Sequence, residues 1–586
     1  MRPKQTTRTQ VPCPGIPSKS PHPPPPFMLP WQLVLVVLIL LIVFGLFGLS
    51  GFSGLLGPVD VRDVRIGPGH AIAQWMHNAS FSSFVVAQSQ TVELHPGTWA
   101  IWGARKKWMG TVVSGSVKWP VSGWKAKFHL LPSLIRNQEA AAMKQLLVDA
   151  PDEFDEDTDG VDKMVTYEFI ISSAGARKAH DPVREALRQR LRDITEPIIR
   201  DRIQPFVWER YPKAGAVCHS MIRRYLLHER RSHDTHWDIP SYVSVVVSLD
   251  AAGHDFHGGF FVTTGNGEKS FIPLQRGDTV VHQSDLLHGV HVKQGERWSW
   301  AMWFQDSRDC SSQSSDWWKR EAENGDPVAQ TLRAMRAATP EESWTWLETA
   351  ANSGFPRAQL YFGKAIEDGL RGQPNHEQAA QWYEKSRQGG EVDSCYYLGL
   401  VEKRRGNITG AMQLFRQGAT SGEPNAMGQL AIGYQNGTGG LPQDLDLATE
   451  WFERAADFTV EAMYQSYVLY SEPTQTRDRD QTKAQLHLER AARMGHESAM
   501  KKFIEPLARA GRWEAVAPWL LRIESKAALS QLVKLHQRGV QINAFTLFRA
   551  EQVLRDLAEQ GFEDARGLLR QLLSSREAAP AKMSEL

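Results

Sequence analysis

Ser241-Tyr-Val-Ser-Val-Val-Val-Ser-Leu249 is apolar through its centre and rich in β-branched residues, and it reads as a strand. Gly259-Phe-Phe-Val-Thr263, Ser270-Phe-Ile-Pro-Leu274, Thr279-Val-Val-His282 and Trp298 to Phe304 follow at short intervals. Asn266-Gly267, Gly277-Asp278 and Gly295-Glu296 supply the turns between them. Short strands so closely spaced predict a sandwich or jelly roll. Upstream the pattern is helical. Asn137 is placed to cap a helix running to Val148, with Met143, Leu146 and Leu147 on its apolar face. Asp181-Pro182 opens a second helix, in which Val183, Leu187, Leu191, Ile194 and Ile198 recur at helical spacing. Between the two lies Asp155-Glu-Asp157-Thr-Asp159-Gly160, which begins like a calcium loop but has Thr166 where a bidentate Glu is needed. A solvated acidic loop is expected there. Residues 58–124 are rich in Trp and Gly, with short alternating stretches at Ser83 to Ala87 and Thr111 to Val113.

His236-Trp-Asp238 stands immediately before the Ser241 strand. The chain has 19 histidines, so one H-x-D carries little weight by itself. Two histidines and one carboxylate, however, hold Fe(II) on one face and leave the other positions open. The third ligand must come from a strand that the fold brings alongside. His288, in Leu287-His-Gly289, follows the Gly277-Asp278 turn and a strand, where a jelly roll returns to the same mouth. His282 and His291 are its rivals. Arg297 lies nine residues beyond His288, suited to a two-pronged pair with a carboxylate, and Ser299 can add a hydrogen bond.

Tyr225, His236-Trp-Asp238, Gly258-Gly259-Phe-Phe, Arg276-Gly-Asp278, His288-Gly289 and Arg297-Trp-Ser-Trp-Ala-Met-Trp-Phe304 together make residues 125–308 resemble the prolyl 4-hydroxylase superfamily of Fe(II)/2-oxoglutarate dioxygenases. The resemblance implies a double-stranded β-helix with His236, Asp238 and His288 as iron ligands. It implies that Arg297, Ser299 and Tyr225 bind 2-oxoglutarate, with O₂ as oxidant and ascorbate as reductant. The implied activity is hydroxylation of a peptidyl residue: proline, or alternatively lysine. The collagen-type branch usually has Lys where Arg297 stands, so the resemblance fixes the reaction better than the substrate. A non-catalytic adaptor with a relic oxygenase fold is the alternative from another class.

Beyond residue 316 the pattern is all-α and repetitive. Trp346, Ala350, Gly354 and Ala358 align with Trp382, Ser386, Gly390 and Ser394, then with Leu414, Gly418, Gly422 and Ala426. Trp451 with Ala455, and His487, Ala491, Gly495 and Ala499, continue the columns at spacings of 32 to 37 residues. Small residues at fixed offsets let helices approach closely, and each pair buries its face against its neighbours. The pattern resembles Sel1-like repeats, relatives of the tetratricopeptide repeat, which implies a solenoid with a protein partner on its concave side.

Leu33 to Leu49 contains no charged residue, and with its apolar flanks it is long enough to span a bilayer. Arg2, Lys4, Arg8 and Lys19 precede it without an acid, and the first acid is Asp60. Positive-inside bias therefore predicts a single-pass type II membrane protein of the endoplasmic reticulum or Golgi, with a lumenal catalytic domain. The run exceeds the apolar stretch of a cleaved signal, about 7–15 residues. Asn78-Ala-Ser, Asn407-Ile-Thr and Asn436-Gly-Thr are glycosylation sequons consistent with that placement. The balance of 67 basic and 66 acidic residues gives no field for nucleic acid, and none is expected as a partner. Of four cysteines, Cys218 and Cys310 bracket the catalytic region and are read either as one bridge or as two buried thiols.

The chain is thus expected to be multidomain: a transmembrane helix, a jelly roll with flanking helices, then an all-α solenoid. The expected boundaries are a cytoplasmic tail (1–30), an anchor (31–57) and a Trp-rich lead-in (58–124). A dioxygenase domain (125–308), a linker (309–316), the solenoid (317–570) and a disordered tail (571–586) complete the chain.

Overall fold

A computed structural model describes residues 92–583, apart from 103–106, 119–124, 160–161, 174–181, 264–266, 308–309, 311–315, 475–476 and 524. The expected anchor, Asn78, Cys13 and the Ser83 to Ala87 stretch lie outside the described residues. Among the described residues no helix is long and apolar enough to cross a membrane.

Thirteen strands among these residues form two antiparallel sheets. In chain order they are β1 (Val92–Trp102), β2 (Lys107–Lys118), β3 (Lys125–Leu131), β4 (Asp155–Thr158), β5 (Val165–Ser173), β6 (Val217–Tyr225) and β7 (Ser232–His236). Then come β8 (Val243–Ser248), β9 (Phe256–Thr263), β10 (Lys269–Phe271), β11 (Thr279–Gln283), β12 (His288–Gly295) and β13 (Arg297–Phe304). The larger sheet runs β1-β2-β3-β11-β8-β13-β6-β5-β4, the smaller β10-β9-β12-β7. The apolar run at Ser241 becomes β8, hydrogen-bonded between β11 and β13 and buried almost throughout. Both faces of β8 are covered, Val243, Val245 and Val247 packing with the helix-side core and Val246 against the cluster between the sheets, which is why its sequence does not alternate.

Between the sheets, Phe128 and Val280 from the larger meet Phe260 and Val262 from the smaller. On the outer face of the larger sheet lie α1 (Asn137–Val148), α2 (Pro182–Ile198) and α3 (Gln204–Arg210), the last two joined by a π-helical turn at Ile199–Ile203. Leu187, Leu191 and Ile198 of α2 are buried as their spacing predicts, whereas Val183, in the first turn, is 68% exposed. The N-cap of α1 is Arg136 rather than Asn137. Glu139 accepts the Arg136 backbone N–H at 2.9 Å, satisfying one of the donors that a helix start leaves unpaired.

One expectation is corrected here, and one open pairing is decided. Asp155–Thr158 is a strand paired with β5, not a solvated loop; its charges are held by Arg184, 3.0 Å from Asp155, and by Arg522, which pairs with Glu156. Cys218 and Cys310 form a disulfide with a Cα–Cα distance of 5.3 Å, closing a loop across 92 positions; Cys395 is free and buried. The lead-in segment also gains a role, since β1 and β2 extend the larger sheet beyond β3.

From Trp317 the chain is helical to Met583. Helices pair as the repeat columns require, for example Pro356–Glu367 with His376–Gln388 and Asp393–Arg404 with Ile408–Thr420. Small residues sit where partners touch: a Cβ on Gly399 would lie 2.4 Å from the Phe415 ring. The last helix, Glu563–Met583, runs through most of the segment expected as a disordered tail; its Ala, Leu, Arg and Glu content suits a helix.

Candidate metal centre

β7 ends on His236, and β12 begins on His288. The two are register partners across the β7–β12 pair, so the fold sets both rings at one end of the smaller sheet. Asp238 follows two residues after His236. One ligand atom from each of the three lies within 4.8 Å of the others. Asp238 Oδ1 is 3.5 Å from His236 Nε2, and its Oδ2 is 3.6 Å from His288 Nε2. All three side chains are buried.

The backbone orients both rings. His236 Nδ1 lies 2.7 Å from the Asp234 carbonyl, and His288 Nδ1 lies 3.1 Å from the Leu286 carbonyl. A carbonyl only accepts, so each Nδ1 donates, which leaves each Nε2, on the Asp238 side, as the nitrogen that could ligate an ion. Gly289 permits the close passage of β12, because a Cβ there would meet the Phe261 ring at 2.4 Å and the His233 carbonyl at 2.6 Å. Burial holds His288 well below the ordinary histidine range, only partly opposed by Asp238. Burial alone would raise Asp238, but the facing His288, His236 and His282 outweigh it and keep its carboxyl ionised. A neutral imidazole and an ionised carboxylate are the forms that ligate a divalent ion.

The rival histidines separate clearly. His291 faces away, its Nε2 donating to Asp457 at 3.0 Å in the helical half. His282, on β11, is fully buried with Nε2 3.9 Å from Asp238 Oδ2; it lies beside the triad without joining its three-atom cluster. His233 stacks on His236 at 3.7 Å and pairs with Asp159 at 3.1 Å. This second layer had no signal in the sequence beyond a histidine three positions before a ligand.

Arg297, the first residue of β13, is fully buried and opposite Tyr225 in register. His288, Val290 and Val292 alternate on the buried face of β12, and Val290 and Val292 pack with Tyr225 and Phe256. The Arg297 guanidinium lies 5.9 Å from each of those two rings. Nη1 donates to Ser299 Oγ at 3.2 Å, while Nε and Nη2 are buried with no hydrogen-bond partner among the described residues. Unpaired buried donors are costly, and a carboxylate would satisfy both at once. Two other arginines of the sheet region, Arg276 and Arg224, are committed elsewhere. Arg276 bonds the Leu249 carbonyl and Asp255, and Arg224 makes two bonds to Glu229. The residues present therefore fit both an ion and a dicarboxylate.

Residues 356–391, 389–423, 424–457 and 468–496 match the family model of the Sel1 repeat, so the helical half carries Sel1 repeats. Similar solved structures include a Sel1 repeat protein from Oxalobacter formigenes, at 24% identity, TM-score 0.28, over 30% of this chain and 74% of that one. They also include a 2OG-Fe(II) oxygenase-family oxidoreductase from Burkholderia pseudomallei, at 21% identity and TM-score 0.24 over 32% of this chain and 87% of that one. A Pseudomonas putida prolyl-4-hydroxylase is similar at 13% identity and TM-score 0.22, over 31% of this chain and 92% of that one.

Proposed function

We propose that this chain is an Fe(II)- and 2-oxoglutarate-dependent dioxygenase that hydroxylates a peptidyl residue, proline in the first place and lysine in the second. The observation that carries the reading is the pairing of a buried His236–Asp238–His288 cluster with a buried Arg297 whose Nε and Nη2 lack hydrogen-bond partners among the described residues. In this reading the three ligands would hold the ion on one face. Arg297, steadied by Ser299, takes the far carboxylate of the co-substrate, while Tyr225 borders the same pocket. The buried walls exclude water, which strengthens each charge interaction inside. Iron with 2-oxoglutarate and O₂ supplies the oxidation, with ascorbate restoring Fe(II).

The chain is further proposed to be a single-pass type II protein whose catalytic part faces the lumen of the endoplasmic reticulum or Golgi. The Leu33 to Leu49 run supports this, as does the Cys218–Cys310 disulfide, a bond at home in an oxidising compartment. A protein partner or the peptide substrate is assigned to repeat surfaces left free by the oxygenase part.

The test is mass spectrometry of proline- and lysine-containing peptides incubated with the lumenal part, Fe(II) and 2-oxoglutarate. A 16-dalton gain on peptide, matched by succinate, is expected; succinate without peptide oxidation would leave the substrate class wrong, and neither product would sink the reading. For topology, glycosidase should lower the apparent mass, and protease outside sealed vesicles should remove only the short tail. Digestion of the whole chain would overturn the placement.

A further inference from the structure

β7 carries His236 yet is an edge strand of five residues, hydrogen-bonded only to β12 within its sheet. Such an edge leaves backbone groups without strand partners and needs cover. Residues of the helical half reach side chains at both ends of the strand.

At its start, the turn after the Leu445–Ala455 helix reaches the β7–β12 pair. Asp457 accepts from His291 Nε2 at 3.0 Å, and its backbone carbonyl accepts from the Ser232 hydroxyl. Ser232 and His291 are register partners, so one residue of the repeat region bonds both strands that carry the histidine ligands. Arg490, from a neighbouring repeat, fixes the same carboxylate at 2.8 Å, and Arg231 Nε lies 3.9 Å away. Phe458, the next residue, packs on the His291 ring at 4.7 Å and beneath the Lys269 ammonium at 4.5 Å. Lys269 in turn bonds Asp234 at 3.1 Å, the residue whose carbonyl orients His236.

Just past the strand's other end, Arg357 from the Pro356–Glu367 helix lies 5.8 Å from the ring of Trp237, between two ligands in sequence. Glu391 holds that guanidinium in place with bonds of 2.9 and 3.2 Å.

We propose that Asp457 is a positioning residue for the metal ligands: it straps β7 to β12, so that metal affinity at His236, Asp238 and His288 is set across the junction with the Sel1 repeats. The inference rests on the reading of those three residues as a divalent-metal site. Groups that hold ligands in place typically govern affinity by about ten- to a hundredfold.

Mn(II) titration of the full-length chain tests it. Asp457→Asn keeps the size of the side chain and the Ser232 bond to the carbonyl, but removes the charge facing His291 and Arg490. Its Mn(II) affinity should fall by about tenfold or more, that of Asp457→Ala further, with Asp457→Glu closest to the parent. Should Asp457→Ala fail to fold, Asp457→Asn carries the test. Arg522→Ala breaks another junction pair, with Glu156 on β4 of the other sheet, and should bind Mn(II) as the parent does. Parent-like affinity in Asp457→Asn would overturn the strap, as would an equal loss in Arg522→Ala, which would mean general loosening of the junction. A parent chain that binds no Mn(II) would instead sink the metal-site reading on which the strap depends.

Discussion

Arg297 sits where water cannot solvate it, and two of its donor nitrogens have no hydrogen-bond partner among the described residues. Lysine would keep the charge but lose the fork that matches a carboxylate. A charge-assisted bond is worth roughly 1.5–3 kcal/mol, so Arg297→Lys should weaken 2-oxoglutarate binding by about ten- to a hundredfold. Its metal content should stay at the parent level, because the converging ligand atoms belong to His236, Asp238 and His288. The 2-oxoglutarate dependence of succinate formation, with metal analysis of the same preparation, checks both halves. The ligand assignment is tested separately. His288→Ala should abolish metal binding, whereas His282→Ala leaves three converging ligands and should retain it. The reverse outcome would move the third ligand to β11.

At the scale of elements, Glu139 shows how a local cap becomes a tertiary tie. It caps α1 through the Arg136 N–H and also takes two bonds of 2.7 Å from Arg202 in the π-helical turn after α2. Partial burial alone would raise its pKa, but the bonds from Arg202 and Arg136 prevail and bring it down to about 2. A carboxyl depressed in the folded state adds stability above its ordinary pKa, and that stability is lost as pH falls towards the folded value. Glu139→Gln should therefore lower the melting temperature at pH 7, and the gap should close between about pH 4.5 and pH 2. A gap that stays constant down to pH 2 would mean that the amide's altered bonding, not the charge, causes the loss. The sequence made the α1 span legible through its apolar spacing, but not this tie, because Arg202 lies 63 positions away. The same limit hid β4: Asp-Glu-Asp-Thr has no apolar alternation, and it is a strand because β5, Arg184 and Arg522 hold it. The triad was legible for the opposite reason, since chemistry restricts its residue types and the jelly roll restricts their spacing.

Across the whole molecule, the repeats were legible because each helix pair repeats the same small residues, whereas their docking on the strands of the candidate metal site was not. Docking depends on single contacts such as His291 with Asp457, separated by 166 positions and outside any period. One apolar core runs from Val112 through the sheets and helices into the repeats as far as Met500, while Ile504 to Leu572 form another. Trp317 and Trp318, at the start of the helical half, belong to the first core, and Trp317 lies 6.2 Å from the Tyr242 ring. The two-sheet part and the first repeats should therefore fold as one unit. A chain ending at Arg512 loses most of the second core and the Arg522–Glu156 pair, a partly exposed contact worth about 0–1 kcal/mol. It should remain soluble and bind Mn(II) with parent affinity. A chain ending at Asp316 loses Trp317, Trp318 and the contacts at the ends of β7, and should aggregate or bind Mn(II) far more weakly. Sedimentation and Mn(II) titration of the two truncations decide the matter. Parent-like binding by the shorter chain would make the repeats an independent module, while loss of binding in the longer one would extend the unit to the last helices.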